Sequence, residues 1–147
     1  MEPYAVNRKA SFDYEILETY EAGIELLGFE VKAVKSGRIM LTGAFAVPRG
    51  MEIWLTNATI PAYQPQNTPR GYDPERARRL LLHRAQIGAL IGKSREKGLT
   101  LLPLRVYSKN SKIKVLIGVG RHKKAFDKRE KIKKRDMSRE AERTLRS

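Results

Sequence analysis

Five glutamates, Glu15, Glu18, Glu21, Glu25 and Glu30, lie within sixteen residues, and clustered carboxylates are common equipment for acid–base or magnesium chemistry. Their spacing argues otherwise. They are spread along a segment that reads as strand, where carboxylates solvate a face or pair with neighbouring Lys and Arg. No Ser-His-Asp order and no phosphate-cradling glycine loop accompanies them. Gly118-Val119-Gly120 follows a strand-like run but lacks the third glycine and the helix that a dinucleotide site requires. Cysteine is absent, which removes disulfides, thiolate metal sites and thiol nucleophiles. His83 and His122 stand alone, each without a second ligand at metal spacing. The chemistry to expect is binding rather than catalysis, with no cofactor and no metal.

The cations are more informative. Thirty Lys and Arg face sixteen Asp and Glu, for a formal net charge of +14, and such a charge favours a polyanion. Asn7-Arg8-Lys9 near the start, and Lys32, Lys35 and Arg38 further on, read as phosphate contacts of the salt-dependent kind. In Lys112-Ile113-Lys114-Val115-Leu116-Ile117-Gly118-Val119 the alternation puts Ile113, Val115, Ile117 and Val119 on one face and Lys112 and Lys114 on the other. Tyr63, Tyr72 and Tyr107 are the aromatic side chains able to stack on bases, although packing in a core or rim is the commoner use of tyrosine. Anionic membrane is the competing polyanion. No run reaches the about 18 apolar residues of a spanning helix, and the first ten residues contain no signal-peptide apolar region, so a soluble cytoplasmic protein is expected.

These side chains need a scaffold, and 147 residues with 41% hydrophobic content can supply one core. Tyr14–Tyr20 reads as a strand, Glu21-Ala22-Gly23 as a turn, and Ile24–Val34 as a long second strand with a bend at Gly28. Ala44–Val47 and Met51–Leu55, joined through Pro48-Arg49-Gly50, form a hairpin that includes Trp54. Pro61–Gly71 is a loop. Asp73-Pro74 reads as a helix start, and Ala77, Leu80, Leu81, Ile87, Leu90 and Ile91 supply the inward stripe of a helix running to about Gly92, leaving Arg76, Arg78, Arg79 and Arg84 more exposed. Leu99–Tyr107 and Lys112–Val119 form a last pair of strands, with Pro103 marking an edge or a bulge. The expected fold is mainly β, an OB-fold-like antiparallel barrel with flanking α-helices.

The chain changes character after Gly120. Residues 121–147 carry twelve Lys or Arg against five acids and too few large apolar side chains for a core. Two parts are expected: an RNA-binding domain over 1–120, and a basic tail over 121–147 that is disordered alone and helical against a partner. Arg121, Lys123 and Lys124, where the tail begins, extend the RNA-facing set.

Several ordered segments then narrow the reading. Asn7-Arg8-Lys9-Ala10, Glu21-Ala22-Gly23, Gly28-Phe29-Glu30-Val31-Lys32, Asp73-Pro74, Arg79-Leu80-Leu81-Leu82, Lys114-Val115, Ile117-Gly118, Lys123-Lys124, Asp127-Lys128-Arg129 and Ile132-Lys133 together resemble the SsrA-binding protein family, small protein B, across nearly the whole chain. The resemblance implies an OB-fold barrel gripping the tRNA-like domain of tmRNA, and a tail that enters the decoding centre and the empty mRNA channel of a stalled ribosome, against small-subunit ribosomal RNA. It implies an adaptor for trans-translation without a catalytic site, monomeric, linked only through tmRNA to elongation factor Tu and alanyl-tRNA synthetase. By motif position, Glu21, Leu81 and Lys114 fall where the family binds tmRNA, and Asn7 falls in its RNA-proximal amino-terminal segment. Leu81 is equally readable as core. Asp127-Lys128-Arg129 matches the motif needed once tmRNA is bound, and Phe126, Lys131, Lys133, Lys134 and Arg135 accompany it as ribosome contacts. The chain departs from the family pattern at His122, Phe126 and Met137. A structural ribosomal protein with a basic extension and an RNA-processing enzyme are the rival readings.

Overall fold

A computed structural model describes residues 2–64, 66, 68–124, 129 and 132–137. The last two strands are the backbone of the architecture. β6 (Leu99–Lys109) and β7 (Lys112–His122) pair antiparallel from Leu99↔Arg121 to Lys109↔Lys112. Asn110 and Ser111 turn between them with φ of 52° and 63°, the left-handed pair that a tight two-residue hairpin needs. The expected alternation holds, because Val115, Ile117 and Val119 are all buried while Lys112 is exposed. A register shift falls between Pro103 and Arg105, so the expected irregularity at Pro103 is a bulge.

β7 pairs on its other side with β2 (Tyr14–Ile24), from Tyr14↔His122 to Gly23↔Lys114. The expected turn at Glu21-Ala22-Gly23 is therefore continuous strand, because all three residues are held in the ladder. β3 (Phe45–Arg49) and β4 (Glu52–Thr56) form the expected hairpin. β5 (Arg78–Leu81) bridges β4 and β2, and β3 meets β6 at Ala46↔Leu101. The ring β6-β3-β4-β5-β2-β7 closes on itself through β6–β7, while β1 (Ala5–Val6) lies outside it on β6. Closure leaves the ring no free edge. The core includes Ile53, Leu55, Leu80, Val106, Val115 and Ile117, each at most 2% exposed. The expected antiparallel barrel with flanking helices is present.

Glycine serves the crowded side of β7. A Cβ on Gly118 would lie 2.8 Å from Leu104 Cδ1, and one on Gly120 would lie 3.0 Å from Leu102 Cδ1 and 3.1 Å from Tyr14 Cβ. The glycine pair is thus a packing requirement.

Further expectations are overturned. Ile24–Val34 is not one strand, because Gly28–Lys35 is a helix, α2. The Leu27 N–H donates to Glu30 Oε1 at 2.8 Å, capping the first turn, and Glu30, Ala33 and Val34 share the buried face at helical spacing. Nor does one helix run from Asp73 to Gly92. Asp73 makes a turn instead, its Oδ1 accepting from the Glu75 N–H at 2.9 Å. The chain then enters β5, and a helix, α3, covers only Arg84–Ser94. Ladder pairing on both sides of β5 overrides the helical spacing of Leu80 and Leu81. In consequence Leu80 points inward at 2% exposed and Leu81 outward at 43%, and Arg78, expected outside, is fully buried. α3 packs Leu90, Ile87 and Ile91 against the core as expected.

Candidate nucleic-acid interface

Side chains directly opposite one another in an antiparallel ladder share a face. Gly23 is opposite both Lys114 and Leu81, Lys114 is opposite Tyr107, Lys112 is opposite Lys109, and Glu21 is opposite Leu116. The outer surface of β5-β2-β7-β6 therefore gathers Leu81, Lys114, Lys112 and Glu21 from three separated stretches of sequence. Gly23 lets Leu81 lie close over β2, since a Cβ there would come within 3.2 Å of the Leu81 Cβ. Beside them opens a cleft of about 450 Å³, to which α2 contributes Val31 and Lys35. Four of the sequence-predicted residues, Lys35, Leu81, Lys112 and Lys114, line it together.

Glu21 is held in place by partners that sequence reasoning did not assign to it. The Tyr107 hydroxyl donates to Glu21 Oε2 at 2.5 Å, and Lys109 Nζ lies 3.3 Å from Oε1. The Tyr107 hydrogen bond first, then Lys109 and Lys114, hold the Glu21 carboxyl below its ordinary range against the opposing effect of burial. Burial, followed by the adjacent Glu21 charge, pushes Tyr107 up to about 12. At neutral pH the pair is a carboxylate and a committed hydroxyl donor. The alternation of β6, which gives residues 105, 107 and 109 one face, was the available signal.

A second basic group sits at the far end of β7. Arg8 and Lys9 are exposed on a short helix, α1 (Arg8–Asp13), beside exposed Arg121 and Lys124. Lys123 is tied down by its N–H to Asp13 O at 2.8 Å and its Nζ to Ser11 O at 3.3 Å. Asn7 differs from the role expected of it. Only 5% exposed, it caps α1 by accepting from the Ala10 N–H at 3.1 Å while its Nδ2 donates to Pro103 O at 2.9 Å. Its side chain braces α1 against β6, and Arg8 and Lys9 are the groups left facing solvent.

Lys32 is exposed on α2. Arg38 lies over the Tyr63 ring, 5.4 Å from its centroid, and its Nη1 donates to Tyr63 O at 3.4 Å. Tyr72 is occupied within the fold, its hydroxyl 2.9 Å from Glu30 Oε2 and 2.7 Å from Ile60 O, its ring edge-on to Phe29. Glu30 is the centre of an ionic network no spacing announced. Arg78 bonds its Oε2 through Nε at 3.0 Å and Nη2 at 2.6 Å, and Arg76 grips both carboxylate oxygens. Burial alone would raise the Glu30 carboxyl; the bonds from Arg76, the Leu27 N–H and Arg78 outweigh it and hold the group low. This network fastens α2, with Lys32 and Lys35, to the barrel.

Among the described residues no three His, Asp or Glu side chains are grouped to hold a metal, and no helix is long and apolar enough to cross a membrane. His83 stands at the N-terminus of α3, and the His122 ring meets Tyr14 edge-on at 5.0 Å. In the tail, Arg129 and residues 132–137 have helical backbone and are exposed, which includes Lys133, Lys134 and Arg135. Phe126, Asp127, Lys128 and Lys131 lie outside the described residues.

The geometry has close relatives. A family model described as "SmpB protein" matches residues 4–147. An SsrA-binding protein of Gloeothece citriformis is 50% identical over 139 residues, covering 95% of this chain and 90% of that one. Another, from Ligilactobacillus salivarius, is 50% identical over 143 residues, covering 97% and 92%. A solved structure described as "tmRNA-SmpB: a journey to the center of the bacterial ribosome" contains a chain 47% identical, with a TM-score of 0.68 over 82% of this chain and 85% of that one. A full-length family match and relatives at half identity leave one conclusion: the chain belongs to the SmpB, or SsrA-binding protein, family.

Proposed function

We propose that this protein binds the tRNA-like domain of tmRNA through its barrel and serves trans-translation, the rescue of stalled ribosomes. The observation that carries the reading is the shared face on which Leu81, Lys112, Lys114 and Glu21 meet, three sequence-distant segments converging on one cationic, partly apolar surface. Such a surface offers phosphates their counter-charge, while the fixed carboxylate of Glu21 can accept from the N–H groups of a base edge. Arg8, Lys9, Lys32, Arg38, Arg121, Lys123 and Lys124 extend the phosphate contacts, each in proportion to its freedom from internal partners. The adaptor acts in the cytoplasm as a monomer, and elongation factor Tu and alanyl-tRNA synthetase reach it only through tmRNA.

The domain over 1–120 and the tail over 121–147 have separate tasks in this reading. The tail enters the decoding centre and the empty mRNA channel as a helix, with Asp127, Lys128 and Arg129 as its principal contacts. Phe126, Lys131, Lys133, Lys134 and Arg135 support it on ribosomal RNA phosphates. The exposed helical backbone of residues 132–137 supports this assignment. The test is a comparison, at about 0.15 M salt, of affinity for the tRNA-like domain and for an ordinary hairpin of equal length. Preferential binding of the former is expected; equal affinities refute the reading.

A further inference from the structure

Where the barrel ends, the chain is held by more contacts than a loose tether needs. Two successive peptide units are fixed. The Lys123 N–H donates to Asp13 O at 2.8 Å, which holds the peptide between His122 and Lys123 against the end of α1. His122 Nδ1 lies 3.0 Å from Lys123 O; a carbonyl only accepts, so the ring carries a proton on Nδ1 and holds the next peptide, between Lys123 and Lys124. With both planes held, φ and ψ of Lys123 are set, and Lys124 starts out in one direction. The imidazole is itself confined. His122 is opposite Tyr14 in the β2–β7 ladder, and the two rings meet edge-on at 5.0 Å and 74°. Tyr14 ends α1 and lies close over Gly120, while the start of α1 is tied to β6 through the Asn7 bond to Pro103 O. His122 is exposed, so its ring adds little to the core. Its contacts serve the residues that follow it.

We propose that His122 and Tyr14 are positioning residues for the tail, forming with the end of α1 a collar that gives the chain a single exit direction from the barrel. The inference rests on the function proposed above, because delivery of the tail to the ribosome is what a fixed exit serves. A tail leaving over a free swivel must have that residue ordered on arrival, which disfavours binding by about 5- to 30-fold for one residue's backbone. The collar has that order in place beforehand.

The experiment uses the full chain, which has no cysteine, so that two introduced ones carry the only spin labels. Double electron–electron resonance between Met51→Cys and Lys124→Cys reads the exit direction, and Met51→Cys with Glu96→Cys is a control pair inside the folded domain, all three positions being exposed. His122→Ala removes the ring and its donor at a surface position. It is expected to widen the first distance distribution and leave the control unchanged. It is also expected to keep the affinity for the tRNA-like domain while tagging on stalled ribosomes falls by about 5-fold or more. Equal widths with and without His122 overturn the collar. A wider distribution with undiminished tagging also overturns the proposal, because the exit direction then does not serve delivery. A loss of tagging matched by an equal loss of RNA affinity overturns it as well, since His122 then acts on the RNA. Failure of the unaltered protein to prefer the tRNA-like domain instead refutes the function on which the inference stands, and the distance widths still decide the collar.

Discussion

Replacing Glu30 by glutamine keeps the shape of the side chain and removes its charge. In the native protein Glu30 and Arg78 are both 0% exposed, and the carboxylate receives bonds from Arg76, Arg78, the Tyr72 hydroxyl and the Leu27 N–H. Glutamine retains one acceptor oxygen and turns an NH₂ toward guanidinium donors, so Arg78 becomes a buried cation without its counter-ion. Breaking one side of such a pair costs about 3–5 kcal/mol, a large share of the about 5–15 kcal/mol that holds a domain together. At about 3–4 °C per kcal/mol for a barrel of this size, Tm should fall by about 10–20 °C. Thermal melts and urea titrations followed by circular dichroism measure it. The pH dependence has a definite sign. Because Glu30 titrates below its ordinary value of 4.5 when folded, its contribution is complete above that value and is lost as pH falls through the lower folded one. The native protein should therefore lose Tm steeply below about pH 4.5, and Glu30→Gln should lose less over the same range. A variant within about 1 kcal/mol of the native protein, with an unchanged acid profile, refutes the claim that this network fastens α2.

Four further outcomes follow from the same geometry. Tyr107→Phe should weaken binding of the tRNA-like domain by about 2- to 10-fold at constant salt slope, and should have no added effect in Glu21→Ala, as a double-mutant cycle will read. Asn7→Ala removes a helix cap and leaves the Pro103 carbonyl without its donor, so urea unfolding should show a loss of about 2–4 kcal/mol while the remaining folded protein binds RNA normally. Lys114→Ala should lower affinity and reduce the slope of log K against log salt by about 0.7–0.9 if it neutralises one phosphate. Replacing Asp127, Lys128 and Arg129 together should leave tmRNA affinity nearly intact and abolish tagging on stalled ribosomes, measured as tagged product in a reconstituted translation assay.

The parts of the fold legible in the sequence are those where a single face is buried. The first half of β7 alternates because Val115 and Ile117 meet the core while Lys112 stands exposed and Lys114 half-buried on the other side; beyond Leu116 the strand is covered on both sides, and only glycine fits the second. Gly28–Lys35 misleads because Phe29, Val31 and Val34 are good strand residues, while the helix is decided by the Leu27–Glu30 cap and by partners about 46 to 48 residues away. Arg78 illustrates the deeper limit. An arginine is read as exposed unless something neutralises it, and its counter-ion Glu30 comes from another element altogether. The candidate interface divides the same way: the lysines follow from local alternation, whereas the outward turn of Leu81 and the bracing of Glu21 by Tyr107 follow from strand pairing, which is not a local property.

β7 is laddered on both sides over nearly all of its length, and its last residues are pinned by the Lys123 N–H to Asp13 O. Lys114 and Lys123 are therefore joined by a stiff spacer of about 30 Å, at roughly 3.3 Å per residue, and not by a flexible tether. Whatever grips one end of this strand sets both the position and the heading with which the chain departs at the other. On the proposed function, an RNA seated against Lys114 fixes the point at which Lys123 leaves the barrel, and an insertion of one residue between the two ends should displace that point without touching either contact.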